Sequence, residues 1–410
     1  MKTDIDSLMQ AQNIDALLVT GPATHNPAMV YLTGGGNLTG ADLIKKRGEG
    51  AVLFHYPMER DEAARTGLRT KSLAEYRLQE LYKQFNGDML QATVRRYQLM
   101  LQDMGVTSGR VALYGRADAG AVLAIFSALQ QAMPDITLVN EFGNTLLLQA
   151  MATKDAEEVA RIRRVGQKTT AVVGQVAEYL SSQRVEGETL VKSDGAPLTI
   201  GDVKQRINLW LVKRGLENPE DTIFATGYDT SVPHNSGTLS DPLRLGQMII
   251  FDIFPCEPGG GYYYDMTRTW CLGYATDEAL ALYEDVLQVY RQIMSELTVN
   301  APGRNYQERT CELFEARGHP TIRTNPQSQE GYVHGLGHGV GLHIHESPML
   351  GRFSGEADRL APGVVITIEP GLYYPERGLG ARLEDTVWVR PDGQFEVLAE
   401  YPLDLVLPVK

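Results

Sequence analysis

The histidines of this 410-residue chain are concentrated in one short stretch, residues 331–348. Four of the eight histidines lie there, interleaved with five glycines: His334, His338, His343 and His345. Neutral imidazole is the commonest nitrogen ligand of divalent metals, and glycine lets backbone approach a bound group closely. The spacing is not that of a zinc-binding helix, because no second histidine follows His345-Glu346 three residues later. The stretch indicates a metal or substrate site, with a flexible surface loop as the alternative.

Four carboxylates in apolar surroundings flank that stretch: Asp252 in IIFDIF, Asp265 in YYYDMTRTW, Glu369 after VITI, and Glu384 in ARLEDTVWV. If the first two belong to a β-hairpin, Asp252 opposes Asp265 and both side chains share a face. Like charges placed in that way destabilise a half-buried sheet, so structure alone is a poor explanation for them. Pairing of each acid with a nearby arginine is the structural alternative.

Charge favours metal over that alternative. Four carboxylates carry four negative charges, which two divalent cations cancel. With His338 as a neutral fifth ligand, the set suits two metal ions bridged by shared carboxylates.

The overall composition excludes some partners. The formal net charge is -13, with 38 basic and 51 acidic side chains, whereas nucleic-acid binding needs a basic face. The one compact basic run, residues 45–47 (KKR), is predicted to be a solvated turn. Three cysteines give no disulfide framework, and neither a signal peptide nor a membrane-length apolar run is present. We therefore expect a soluble cytoplasmic protein with no membrane partner.

Residues 1–150 alternate between apolar runs and helical patterns, which predicts an α/β domain. The predicted strands are Ala16–Thr20, Ala51–Tyr56, Val111–Tyr114 and Ile136–Val139. The predicted helices include Met89–Met104 and Ala119–Met133, the latter stopped by Pro134.

From residue 151 onward, the order helix, helix, hairpin occurs twice, over about 153–273 and 274–405, which predicts an internal duplication. In the first half Thr153 is the expected N-cap, a second helix runs to about Arg214, and the strands are Met248–Phe254 and Tyr262–Trp270. In the second half Thr276 is the N-cap, the second helix ends at Arg317-Gly318, and the strands are Val364–Glu369 and Ala381–Val389.

Four segments in this order resemble the pita-bread metallopeptidases, nearest to aminopeptidase P and prolidase: FDIFPCEPGGGYYYDMTRT, HGLGHGVGLHIHE, ITIEPGLYYP and ARLEDTVWV. The resemblance is close over 150–405 and holds only in outline for the N-terminal domain. It implies an α/β N-terminal domain of the creatinase type at 1–150. It also implies an α+β pita-bread catalytic domain at 151–410 with a pseudo-twofold internal repeat.

By that resemblance, Asp252 binds one metal, His338 and Glu369 bind the other, and Asp265 and Glu384 bridge both. The two divalent ions are expected to be manganese, with cobalt, zinc or iron as alternatives.

The resemblance also assigns catalytic roles. His234 lies on the substrate side, while His334 and His345 contact substrate and stabilise the tetrahedral intermediate. Arg382 orients the metal-ligating carboxylates, and Glu369 carries the proton to the leaving nitrogen.

Two features depart from the family pattern. The first ligand loop is longer, adding residues 255–258 (PCEP) beside the metals, where Cys256 is a candidate extra ligand. His343 stands where relatives usually carry an acid. Tyr263 and Tyr373 are candidate pocket walls, with hydrophobic core as the alternative.

The implied function is that of a dinuclear-metal exopeptidase that cuts Xaa-Pro bonds, either an aminopeptidase or a dipeptidase, acting on small peptides as a homodimer. Two alternatives on the same fold stay open. One is a metal-dependent lyase of the dimethylsulfoniopropionate type, and the other is a non-catalytic binding module.

Overall fold

The computed structural model describes residues 4–409, which divide into two compact units. The first unit reaches to Met151 and includes Gly259–Gly261, and the second takes the rest of the chain from Ala152 onward. Among the described helices, none is both long enough and apolar enough to cross a membrane.

The first unit alternates strands and helices. Its elements are α1 (Ile5–Ala11), β1 (Ala16–Gly21), α2 (Pro27–Thr33), β2 (Ala41–Lys46), β3 (Val52–His55), α3 (Arg60–Arg65), β4 (Arg69–Ser72), α4 (Leu78–Gln84), α5 (Met89–Asp103), β5 (Gly109–Gly115), α6 (Ala119–Ala132), β6 (Ile136–Val139) and α7 (Leu146–Ala152), which ends at the boundary. All four predicted strands and both predicted helices are present.

These strands form one six-stranded mixed sheet in the order β4-β3-β2-β1-β5-β6. The central strand β1 pairs antiparallel with β2 and parallel with β5, and its first four residues are buried. Burial on both faces explains why such strands read as continuous apolar runs.

Strand β2 was not predicted, and the prediction of a solvated turn at residues 45–47 was wrong for Lys45. This side chain is 2% exposed, and its Nζ lies 2.7 Å from Asp6 Oδ1. Because side chains alternate along a strand, one lysine of a basic run faces the interior, where a partner carboxylate compensates its charge.

The second unit holds two helix pairs and their sheets. Its elements are α8 (Ala156–Ser181), β7 (Arg184–Glu186), β8 (Thr189–Val191), α9 (Ile200–Lys213), β9 (Thr222–Thr226), β10 (Met248–Ile253), β11 (Met266–Leu272), α10 (Asp277–Glu296), α11 (Gly303–Glu315), β12 (Gly337–Gly339), β13 (Glu346–Leu350), β14 (Val365–Ile368), β15 (Gly371–Tyr374), β16 (Leu379–Arg382), β17 (Asp385–Val389), β18 (Phe395–Val397) and β19 (Val406–Leu407).

Two sheets dominate this unit. One has the order β19-β11-β10-β9 and the other β13-β12-β14-β17-β18, while β15 pairs with β16 and β7 with β8. The order of two helices and then paired strands occurs twice, as the sequence predicted. On α10 the predicted apolar face is buried at Tyr283, Val286 and Tyr290, a helical spacing that packs it against the unit's core.

The start of α8 differs from the prediction, because Asp155 and not Thr153 is the N-cap. One carboxylate oxygen of Asp155 accepts hydrogen bonds from the amides of Glu157 and Glu158, each at 3.0 Å. The Asp155 amide in turn donates to Glu158 Oε2 at 2.8 Å, which completes a capping box. Thr153 instead forms a backbone bridge with Val364.

The register of the first hairpin also differs, because β11 begins at Met266 and not at Tyr262. Asp252 therefore pairs with Thr267, and the predicted opposition to Asp265 was wrong. Asp265 lies two residues before Thr267, so alternation still places the two acids on one face of the sheet. Residues 254–265 form the longer connection, which the backbone bridge between Cys256 and Tyr263 closes.

The second hairpin is interrupted. The predicted strand Ala381–Val389 is two strands, since β16 pairs with β15 while β17 pairs with β14. At the break, the Glu384 amide donates to Thr267 O at 3.1 Å, and the Thr267 amide donates to Glu384 O at 3.3 Å. The backbone of Glu384 thus joins the sheet that carries Asp252 to the sheet that carries Glu369.

Candidate metal centre

The five predicted ligands reach one cavity of about 290 Å³ from both sheets of the second unit. They come from the middle or the ends of short strands: Asp252 in β10, Asp265 just before β11, His338 in β12, Glu369 just after β14 and Glu384 just before β17. Such positions hold the backbone in the ladder while the side chain leaves the packed face. Four of the five are buried, and the Glu369 side chain is 17% exposed.

The side chains converge on His338. Its Nε2 lies 3.5 Å from Glu369 Oε1 and 3.8 Å from Asp265 Oδ2. Ligand atoms of Asp265, His338 and Glu384 all lie within 4.8 Å of one another. The Nδ1 of His338 donates to Gly339 O at 3.1 Å, which leaves Nε2 unprotonated and directed at the acids.

Two carboxylate oxygens at this centre lack a partner. Asp252 Oδ1 and Asp265 Oδ1 are both buried and accept no hydrogen bond. A buried anionic oxygen without a donor is costly unless a cation satisfies it. The donor set, four carboxylates and one neutral imidazole, fits divalent metal ions.

The pKa values of these side chains also indicate that the buried negative charges lack compensation. Burial, followed by the charges of Asp252 and Glu369, raises the pKa of Asp265 well above its usual value. Burial and Asp265 likewise raise the pKa of Glu384, and burial raises the pKa of Glu369 from 4.5 to about 8. Burial lowers the pKa of His338 to about 3, so the ring is neutral at physiological pH, as a metal ligand must be. Without cations, Glu369 retains its proton at neutral pH, and Asp265 and Glu384 hold theirs to higher pH than ordinary carboxyl groups.

Arg382 holds two of the acids in place. Its Nη2 lies 2.6 Å from Asp252 Oδ2 in a buried ion pair. Its Nε donates to Thr267 Oγ1 at 3.2 Å, and that hydroxyl donates to Glu384 Oε2 at 2.7 Å. The arginine alternative therefore holds for Asp252 alone, and Arg268 pairs instead with Asp385.

His334 has protein partners at both ring nitrogens. Its Nδ1 donates to Gly335 O at 2.7 Å, and its Nε2 lies 2.9 Å from Tyr373 Oη. That hydroxyl also accepts from Arg382 Nη1 at 2.7 Å. His334 does not line the cavity, so its contact with substrate stays a prediction, and Tyr373 is a polar link to Arg382 as well as a buried ring.

His234 and His345 do line the cavity, and both are exposed to it. The His345 ring packs edge-on against His338, with centroids 4.3 Å apart. Partial burial and the neighbouring His234 lower the pKa of His345. A neutral imidazole in this place can offer one N–H to a group bound in the cavity.

None of the four added residues of the longer loop, 255–258, lines the cavity. Cys256 and Tyr263 are buried but do not line the cavity, and burial raises the pKa of the Cys256 thiol to about 12. Because its thiol lies outside the cavity that the five proposed ligands line, the structure does not support Cys256 as an extra ligand. The side chain of His343 is half-buried, and its amide donates to Glu346 Oε1 at 3.0 Å.

Three residues in or next to the candidate site were not predicted from the sequence. Thr267 carries the contact to Glu384, and its spacing of two from Asp265 was the available signal. Glu220 lines the cavity, but nothing in its surrounding sequence indicated this. Glu346 forms a buried ion pair with Lys154. The two residues are 192 positions apart in the sequence, so no local pattern predicts the contact.

The fold is that of solved pita-bread enzymes. The X-Pro aminopeptidase of Thermotoga maritima superposes with a TM-score of 0.74 at 21% identity, covering 97% of this chain and 98% of that one. The prolidase of Pyrococcus horikoshii gives 0.72 at 20% identity, covering 98% of each chain. These likenesses show the fold, and the predicted fold class is confirmed.

Sequence comparison identifies the family. The model of metallopeptidase family M24 matches residues 160–391, more than half of the chain, and the chain belongs to that family. It is 26% identical over 403 residues to an Xaa-Pro dipeptidase of Pyrococcus horikoshii, covering 95% of this chain and 94% of the relative. It is 30% identical over 194 residues to an Xaa-Pro dipeptidase of Pyrococcus furiosus, where the match spans 47% of this chain and about half (51%) of the relative.

Proposed function

We propose that this protein is an Xaa-Pro exopeptidase, which hydrolyses the bond between a first residue and a following proline. The observation that carries the proposal is the convergence of five side chains, with two unpartnered acid oxygens among them, in a cavity of about 290 Å³. The relatives named Xaa-Pro dipeptidase support the choice of substrate.

The centre is proposed to hold two divalent cations, manganese first, with cobalt, zinc or iron as alternatives. Asp252 would bind one, His338 and Glu369 the other, and Asp265 and Glu384 both. When bound, such a pair polarises the scissile carbonyl and lowers the pKa of water.

Glu369 is proposed as the proton carrier. It is the most exposed of the four acids, with 17% of its side chain open to the cavity. A carboxylate that reaches both the cavity and the centre can accept a proton from the attacking water and donate it to the proline nitrogen. That nitrogen belongs to a tertiary amide and carries no proton of its own, so it must receive one to leave.

His345 and His234 are proposed to stabilise the substrate's developing oxyanion. Both line the cavity, and His345 is held next to His338. A fixed N–H donor directed at growing negative charge lowers the barrier more than it strengthens ground-state binding. Arg382 contributes by fixing Asp252 directly and Glu384 through Thr267.

Assembly and location are also proposals. We expect a homodimer, as the family resemblance implies, and light scattering at working concentration tests it. The three cysteines are free and buried, which suits a reducing cytoplasm.

The deciding assay uses protein stripped of metal with a chelator and reloaded with Mn²⁺. Loaded protein is expected to cleave Xaa-Pro dipeptides or Xaa-Pro-Xaa tripeptides, and to leave matched peptides with alanine in place of proline largely intact. Release of an alkene and a sulfide from a sulfonium substrate would indicate the lyase instead. Failure to cleave any Xaa-Pro peptide under these conditions would refute the proposed function.

A further inference from the structure

A buried ion pair includes the residue that follows His345 in the sequence. Lys154 Nζ is 2.7 Å from Glu346 Oε2, and the two side chains are 1% and 0% exposed. Glu346 immediately follows His345, whereas Lys154 lies in the segment just before α8. Two charges taken so completely out of water are costly, and the burial of a hydrophobic pair of similar size is often no less stable. Stability alone is therefore a weak reason for the pair.

The second oxygen of Glu346 closes a turn. Its Oε1 accepts from the amide of Leu342 at 2.8 Å and from the amide of His343 at 3.0 Å. The turn is tight, because a Cβ added at Gly341 would lie 2.4 Å from Glu346 Oε2. One carboxylate thus fixes both ends of the segment 342–346, from which His345 projects.

Lys154 is itself fixed. Its amide donates to Gly363 O at 2.7 Å, just before β14, the strand that leads to Glu369. The ammonium group therefore starts from backbone attached to the same sheet that carries His338 and Glu369. The ion pair therefore connects the turn at 342–346 to the sheet of β12 and β14, which carries His338 and Glu369.

We infer that Lys154 and Glu346 are positioning residues, whose ion pair holds His345 at the distance from His338 that catalysis requires. This inference rests on the proposed function, because it assigns His345 a role in Xaa-Pro hydrolysis. Neither residue contacts the cavity, and both act through the turn.

The test is a double-mutant cycle with His345→Ala on Mn²⁺-loaded enzyme. We expect Glu346→Gln to lower kcat roughly 10- to 100-fold with KM little changed, as misplacement of a catalytic group does. In the His345→Ala background the same substitution should cost nothing further. Lys154→Arg should retain most activity, because it keeps the charge pair. An equal loss in both backgrounds, or no loss in either, would overturn the inference.

Lys45→Met is the matched control. Lys45 is equally buried, at 2% exposure, and is paired with Asp6 at 2.7 Å in the first unit. It should lower the melting temperature without changing kcat. If Glu346→Gln does not fold, Lys154→Met/Glu346→Gln removes both charges, leaves no buried charge unpaired and carries the same cycle.

Hydrogen exchange separates this inference from the proposed function. The amides of Leu342 and His343 should exchange faster in Lys154→Met/Glu346→Ala than in wild type, because alanine removes their acceptor, whether or not any peptide is cleaved. If the wild type cleaves no Xaa-Pro peptide, the proposed function fails, while faster exchange still supports the anchor. Unchanged exchange at both amides overturns the anchor even in an active enzyme.

Discussion

At the scale of single residues, the acids and histidines of the centre differ in how far they open to the cavity. Asp265 and Glu384 are buried among other acids, while Glu369 and His345 open to the cavity. The first two suit metal binding, because a cation relieves their repulsion. The last two are placed to exchange a proton or donate a hydrogen bond.

Replacement of Glu369 by glutamine tests the proton carrier. Glutamine keeps the shape but has neither the charge nor the basicity, so Xaa-Pro hydrolysis should fall by several orders of magnitude while circular dichroism stays unchanged. His345→Ala removes one donor and no ligand, so it should cost less, roughly 10²- to 10³-fold in kcat. A Glu369→Gln enzyme within tenfold of wild type would remove this residue from the mechanism.

Glu220 places a carboxylate at the wall of the cavity, outside the cluster of proposed ligands. Its neighbour Asp221 is neutralised by Lys204, with Nζ 2.6 Å from Oδ2, whereas no cation of the described residues pairs with Glu220. We expect substrates with a basic first residue, such as Lys-Pro, to be preferred over Leu-Pro. Glu220→Gln should reduce that ratio of kcat/KM roughly 2- to 5-fold, the range of an exposed ion pair. Glu376→Gln, an exposed acid that does not line the cavity, is the control and should leave the ratio unchanged.

At the scale of elements, the sequence predicted the helices and the longer strands because their apolar periodicity is local. The sequence did not predict β2, in which the Lys45 side chain is buried. Nor did it predict the break between β16 and β17, where the backbones of Glu384 and Thr267 form hydrogen bonds. Both depend on partners distant in the chain, which periodicity does not contain. The five proposed ligands, by contrast, were predicted from local motifs and line one cavity, and only the register between Asp252 and Asp265 was wrong.

The cap of α8 is a direct test at this scale. Asp155 satisfies two amides at the helix start, whereas the predicted cap, Thr153, lies outside it. Asp155→Ala should lower the free energy of unfolding by about 1 kcal/mol. Thr153→Ala should change it by less than about 0.5 kcal/mol. Urea denaturation measures both, and a larger loss from Thr153→Ala would restore the cap that the sequence predicted.

At the scale of the molecule, two reciprocal ion pairs connect the two halves of the second unit. Arg268 from the first half pairs with Asp385 of the second at 2.8 Å, and Arg382 from the second half pairs with Asp252 of the first at 2.6 Å. All four side chains are buried, so loss of either arginine would leave an uncompensated charge inside. The reciprocal arrangement joins the halves at the place where the acids converge.

The metal centre should therefore couple stability to pH. In protein stripped of metal, the folded-state pKa values of Asp265, Glu384 and Glu369 lie above the ordinary carboxyl values, with Glu369 at about 8. At these three acids the folded state binds more protons than the unfolded state, so their contribution to stability falls as pH rises from about 4 to about 8. His334 and His338, whose pKa values burial lowers from 6.5 to about 3, contribute the opposite slope up to about pH 6.5. Above the imidazole range only the acids' contribution continues to fall, so the melting temperature of the metal-free protein should be lower at pH 8.5 than at pH 7.5.

Added Mn²⁺ should reverse that loss, because a cation replaces the protons. Titration calorimetry at pH 7 in two buffers of different ionisation enthalpy should show proton release on binding. Asp42 is buried in the first unit, and burial raises its pKa, so it would also make stability fall as pH rises. Asp42→Asn is therefore the background for the measurement, since it removes that contribution and leaves the centre intact. Melting temperatures that do not fall from pH 7.5 to pH 8.5 in this variant, or binding without proton release, would mean that the acids do not share one buried, cation-dependent centre.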